Sequence, residues 1–155
     1  MKNFRLTLLT GLVILGLGAC AGRKRIDTFV GASSAQAAGV MTVRTGWVKD
    51  KKNDFNAELW FINDSAKPIV VPTSRIACSR GNQTGAFRFT GFGAWMMELQ
   101  PGEQKKLIAV CNIGSKNVGE WSFTFRDVSA SNDDGTAGKV LAKELVLKLT
   151  PAPKS

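Results

Sequence analysis

The side chains best suited to chemistry in this 155-residue chain are three cysteines, Cys20, Cys78 and Cys111, and an adjacent methionine pair, Met96 and Met97. Histidine is absent. That removes the commonest general base and the commonest metal ligand, so hydrolase triads and zinc or copper sites lose their usual centre. No C-x-x-C pair exists, and no histidine stands ready to activate a thiol. Soft copper ligation draws on spaced sulfur ligands, whereas adjacent residues on a strand point to opposite faces. Core packing is therefore the expectation for the methionine pair. Glu98, Glu103 and Glu120 are the carboxylates an enzyme of unrecognised type would use, but their spacing defines no acid–base pair. Asp133 and Asp134, in the turn-rich stretch 129–138, lack the alternating acids and final glutamate of a calcium loop. From residue 40 onward no S-x-x-K, G-x-S-x-G, P-loop or G-x-G-x-x-G occurs. The expectation is a protein that is not an enzyme and uses neither cofactor nor metal.

The N-terminus is more specific. Lys2 and Arg5 precede an apolar stretch over residues 6–17, LTLLTGLVILGL. A secretory h-region has about 7–15 residues and a spanning helix needs about 20, so the length fits an export signal. Leu17-Gly18-Ala19-Cys20 follows, and this resembles the lipobox of bacterial lipoproteins. The resemblance implies cleavage of residues 1–19 as signal peptide, diacylation (a palmitate-type modification) of the Cys20 thiol, and acylation of the new amine. Each buried CH₂ contributes about 0.8 kcal/mol, so two or three chains anchor firmly where one does not. Ala21 follows in place of the aspartate that marks inner-membrane retention in the best-known sorting rule. That suggests the outer membrane, facing the periplasm. Two rivals stand beside this reading. Ala35-Gln36-Ala37 is an A-x-A site, though far beyond the apolar run. An uncleaved anchor is the other, and Arg23-Lys24-Arg25 gives it no clear orientation. In an exported protein these three cations lie against anionic headgroups.

With Cys20 lipidated, Cys78 and Cys111 form an even pair in an oxidising compartment and are expected to be joined. The formal net charge is +9, and cleavage of residues 1–19 removes only Lys2 and Arg5 from it. Such a surface favours anionic lipid or glycan, while export argues against nucleic acid. Charged residues make up 21% of the chain, the usual share for a folded domain.

Residues 20–39 read as a lipid-anchored flexible tether and residues 151–155, with two prolines, as a loose tail. Residues 40–150 read as one β domain. DFNAELWFIN over residues 54–63 alternates Phe55, Ala57, Leu59 and Phe61 against Asn56 and Glu58. Short runs follow at residues 69–71, 75–78 and 87–89. Residues 106–111 align Leu107, Ala109 and Cys111; residues 120–128 align Trp121, Phe123 and Phe125; residues 140–149 align Leu145, Leu147 and Leu149. Period two between turn clusters is the strand signature, and it outweighs the helix propensity of residues 141–149. Seven to eight strands without intervening helices predict an all-β antiparallel sandwich. Asn63-Asp64-Ser65 leading to Lys67-Pro68, with Leu99-Gln100-Pro101-Gly102 before a later strand, resembles immunoglobulin-like bacterial modules over residues 41–150. The resemblance implies a fold and no activity.

Residues 90–99, TGFGAWMMEL, combine two glycines with Phe92, Trp95, Met96 and Met97. The simplest expectation is a strand entering the core. If exposed, this stretch is a partner surface of the aromatic and methionine kind, with Arg75, Arg80 and Arg88 gathered beside it. The function expected is that of a non-enzymatic envelope lipoprotein, held to the membrane through Cys20 and serving as a binding or assembly module for an envelope partner. The alternatives are a binding protein for a small anionic ligand or metal, and the enzyme of unrecognised type.

Overall fold

The computed structural model describes residues 33–50, 54–114 and 119–149. The expected signal peptide, Cys20, the first part of the expected tether and the expected tail lie outside these residues. The strands are β1 (Ser34–Ala37), β2 (Met41–Asp50), β3 (Asp54–Asn63), β4 (Ile69–Pro72), β5 (Ala77–Arg80), β6 (Gln83–Thr90), β7 (Met96–Leu99), β8 (Gln104–Asn112), β9 (Trp121–Ser131) and β10 (Ala137–Leu149). A single 3-10 turn, Thr73–Arg75, joins β4 to β5.

All pairings are antiparallel. One layer has the order β1-β2-β3-β8-β6. In the other, β9 carries β10 on one side and, end to end on its other side, β4 and β5. β7 borders β4. The tight β5–β6 hairpin carries the chain between layers, with Gly81 at φ 57 in its turn. Among the described residues the result is an all-β sandwich of ten strands rather than seven to eight.

The additional strands have physical reasons. Ser34–Ala37 is part of the predicted tether, yet it pairs with β2, and Ala35 and Ala37 pack against the core. Small side chains that look like linker also fit a sheet edge. The domain therefore begins before residue 40. β2 hides from a period-two reading because a bulge interrupts it, described below. Residues 75–78 are not one run: the chain turns through Arg75 and resumes as β5.

The core is what alternation predicts. Phe55, Ala57, Leu59 and Phe61 of β3 are fully buried, and so are Phe123, Phe125, Leu147 and Leu149 from the facing layer. Phe55 stacks on Trp121 with centroids 4.5 Å apart, and Phe61 meets Phe125 edge-on at 5.5 Å. Such pairs add about 0.5–1.5 kcal/mol each beyond the area they bury.

Cys78 of β5 and Cys111 of β8 are joined by a disulfide, with Cα atoms 6.1 Å apart and both residues buried. β6 runs between these strands, and Gly85 pairs with Cys78 there. A Cβ on Gly85 would lie 2.6 Å from Cys111 Sγ, so this glycine makes room for the bridge.

At the other end of β3, buried Asn63 ties the two turn motifs together. Its Nδ2 donates to the carbonyls of Lys67 and Leu99, both at 2.9 Å, and its Oδ1 accepts from the amide and hydroxyl of Ser65, both at 2.8 Å. Every polar atom of this buried amide is satisfied. The Gln100–Glu103 turn closes with the Glu103 amide donating to the Gln100 carbonyl at 2.9 Å, and Gly102 takes φ 72.

Candidate functional site

β7 is an edge strand of four residues, bordered by β4 alone. The connection from β6 leaves through Gly91, at φ 73, and passes Phe92 before reaching Trp95. Two hydrogen bonds strap it to the 3-10 turn: the Thr73 amide donates to the Trp95 carbonyl at 2.9 Å, and the Thr73 hydroxyl donates to the Ala94 carbonyl at 2.7 Å. Phe92 turns inward to meet Phe89 edge-on at 6.1 Å, with the Lys105 ammonium 5.8 Å from its ring. Trp95 turns outward and is 78% exposed.

Trp95 forms a ridge between two depressions. A groove of about 180 Å³ lies on one side, lined by Thr73, Ser74, Phe87, Arg88 and Phe92. A wider cleft of about 510 Å³ lies on the other, lined by Ser74, Arg75, Met96, Asp127 and Val140. Both are open and shallow. Met96 is 43% exposed and Met97 1%, as strand alternation requires.

An ion pair sits in the wider cleft: Arg75 Nη1 donates to Asp127 Oδ2. Asp127 has φ 56, a left-handed conformation that is uncommon outside glycine and that aspartate tolerates better than most residues. The β9–β10 register slips beside it, between Val128↔Ala142 and Ser129↔Val140. Buried Ser129 donates its hydroxyl to the Asp127 carbonyl at 2.9 Å. Because its charge is answered by Asp127, Arg75 does not offer this cleft an isolated cation for an anionic ligand.

Most of the residues expected to form a partner surface are brought together. Phe92, Trp95, Met96, Arg75 and Arg88 lie together. Met97 does not belong to it, because its position on β7 points it into the core. The expected strand is Met96–Leu99 alone, an edge strand that sends Met97 and Leu99 into the core; residues 91–95 are a loop from which Phe92 packs inward. Arg80 is also elsewhere, at the β5–β6 turn with its guanidinium 5.0 Å from the Trp121 ring centroid. Sequence reading missed Asp127 and Val140, which complete the cleft, and Thr73, which lines the groove. None carries a local signal, since each arrives through long-range pairing.

The carboxylates do not converge. Glu98 accepts from the Ser131 hydroxyl at 2.8 Å, Glu103 from the Gln100 amide at 2.8 Å, and Glu120 pairs with Lys148 at 3.4 Å. Asp134 closes its own turn, accepting from the Thr136 hydroxyl at 2.6 Å and amide at 3.0 Å, which holds its carboxyl below the ordinary 3.8. Among the described residues no group of three or more metal-ligating side chains is gathered. The arrangement around Trp95 has the means to grip a partner's surface: an aromatic ridge, a thioether and flanking arginines.

No protein-family model matches this chain, and no curated protein matches it. Among solved structures it is similar to ycdA of Bacillus subtilis, provisionally described as a lipoprotein, with TM-score 0.51 and 10% identity. The match covers 80% of this chain and 40% of that one. At that identity the likeness concerns the fold. The chain thus spans two fifths of the length of that protein.

Proposed function

We propose that this chain is a non-enzymatic lipoprotein of the bacterial cell envelope, anchored through lipid on Cys20, whose sandwich domain binds an envelope partner through the Trp95 edge. The observation that carries the binding role is Trp95 itself, held outward by a loop strapped at two points. Free apolar surface on a rigid mount, rimmed by polar groups, is the anatomy of an interaction hot spot.

Several features support the location. Leu17-Gly18-Ala19-Cys20 has the form of a lipobox, and Ala21 points to the outer membrane with the domain in the periplasm. A buried disulfide suits an oxidising compartment. The fold is shared with a protein provisionally described as a lipoprotein. The neighbour order β2-β3-β8-β6 facing β4-β9-β10 agrees with an immunoglobulin-like sandwich.

The test is a photo-crosslinking amino acid at position 95 in living cells, with one at exposed Lys143 as control. A discrete adduct from position 95 and none from position 143 is expected. A chain that stays uncrosslinked from position 95 under all growth conditions sinks the binding role. Unchanged membrane retention of Cys20→Ser sinks the anchor.

A further inference from the structure

β1 runs antiparallel to β2, with Ser34 opposite Arg44. Going back from Ala37 to Ser33, the chain therefore travels toward the Asp50 end of β2. Ser33 is fixed to Thr45, whose amide donates to the Ser33 carbonyl at 2.9 Å and whose hydroxyl accepts from the Ser33 amide at 3.1 Å. Residues 21–32 separate this point from Cys20.

Beside that junction, the outer face of the first layer carries an organised cluster. Between Thr45↔Leu59 and Val48↔Ala57, Gly46 and Trp47 together oppose Glu58 alone. This is a β-bulge, a device that re-aims side chains, and it leaves Trp47 45% exposed. A Cβ on Gly46 would overlap Glu58 Oε1 and lie 3.3 Å from Trp60 Nε1. In the space the glycine leaves, the Trp60 indole N–H donates to Glu58 Oε1 at 2.9 Å. The Arg44 guanidinium stands 5.4 Å from the Trp60 ring centroid and the Lys106 ammonium 5.6 Å from it.

Charge distinguishes this face from its opposite. Arg44, Lys49 and Lys106 share the outward register of the first layer, and Arg88 stands at its far edge beside the Trp95 groove. Glu58 pairs with Lys106 at 3.7 Å, while Asp54 accepts from the Asn112 amide and Asp64 from the Thr42 hydroxyl, so that among the described residues Arg44 and Lys49 face outward with no acid bonded to them. On the second layer's outer side, Arg126 pairs with Glu144 and Lys148 with Glu120, so charge cancels.

We propose that the outer face of the first layer, with Trp47 on its tether side, rests on the anionic headgroups of the membrane to which Cys20 is anchored. This inference rests on the lipoprotein reading above. The chain between Cys20 and Ser33 reaches at most about 45 Å, little more than the roughly 34 Å of a ten-residue strand, so the domain stays within about its own length of the lipid. Tryptophan favours the headgroup level, and basic residues are drawn to anionic lipid. β7 and Trp95 lie beyond the opposite lateral edge, near β6, and remain in water.

The experiment uses the protein purified from its membrane and reconstituted in phosphatidylethanolamine–phosphatidylglycerol vesicles with brominated acyl chains. Bromine is expected to quench wild-type tryptophan emission. Trp47→Phe should lose most of that quenching, leaving only a remainder from Trp60 on the same face, and Trp95→Phe should keep it, with unchanged melting temperatures. Lys49→Gln should shift the contact equilibrium roughly five-fold toward the free domain, and added salt should act in the same direction. Quenching that survives Trp47→Phe and vanishes in Trp95→Phe overturns the proposal. So does an absence of quenching in the wild type. A lipid-free Cys20 in the protein's mass defeats the anchor reading separately, because the same vesicles still report which face meets lipid.

Discussion

Trp47 and Trp95 are both exposed, and the domain exposes them by different means. Trp47 stands out because β2 holds one residue more than β3 can match, and the excess is expelled beside a row of cations and Trp60. Trp95 stands out because its loop is strapped by Thr73 to a turn that breaks the line of β4 and β5. The first is a feature of a broad, basic face that suits a flat charged surface. The second is a ridge between two clefts, which suits a partner with relief of its own. One small sandwich thereby presents two chemically distinct sides.

The largest expected effect abolishes the comparison. Phe61 packs edge-on against Phe89, which leads toward the Trp95 loop, and against Phe125 across the sandwich. Phe61→Ala should cost about 3–5 kcal/mol in urea unfolding and loosen both tryptophans together. Breaking the disulfide with paired Cys78→Ala and Cys111→Ala should cost about 3.5–4 kcal/mol on the chain-entropy model, for a sequence separation of 33. That loss should appear in urea unfolding with both tryptophan environments kept in the folded state.

Smaller changes separate the two sides. Gly46→Ala pushes the Glu58 carboxylate away from Trp60 and should cost about 0.5–1.5 kcal/mol, the net worth of one hydrogen bond. Acrylamide quenching should change for Trp60 and Trp47 and stay constant for Trp95, as read in single-tryptophan difference spectra. Thr73→Val removes one strap and should cost about 0.5–1.5 kcal/mol, now with Trp95 alone affected. Equal response of both tryptophans to either substitution would show that the two sides are not independent.

The smallest effect is at Asp134, in the turn that precedes the β10 residues lining the Trp95 cleft. Thr136 holds its carboxyl below the ordinary 3.8 in the folded chain. Its contribution is therefore complete above the unfolded value and is lost as pH falls through the lowered folded value. Asp134→Asn should therefore lower stability slightly at neutral pH, flatten the acid limb of the profile, and leave stability unchanged below the folded value.

Much of the sandwich was legible because alternation is local. Phe55, Ala57, Leu59 and Phe61 read as one face from the sequence, and so do Phe123 and Phe125, and all are buried. Cys78 and Cys111 were legible as a pair once Cys20 was set aside. β1 was not, because Ser34-Ala35-Gln36-Ala37 has the composition of a linker and becomes a strand only where β2 offers an edge.

The sequence by itself determined the period-two inner faces and the cysteine pairing, since each depends on residue types at short range or on simple elimination. The tertiary structure alone decided which tryptophans meet solvent, that Met96 and Met97 part company, and that Arg75 finds Asp127 across 52 residues of chain. Those outcomes hang on a bulge at Gly46–Trp47 and on a register slip between β9 and β10. A shift of one residue in either register would turn the affected side chains to the other face, and no local preference encodes which register a distant strand imposes.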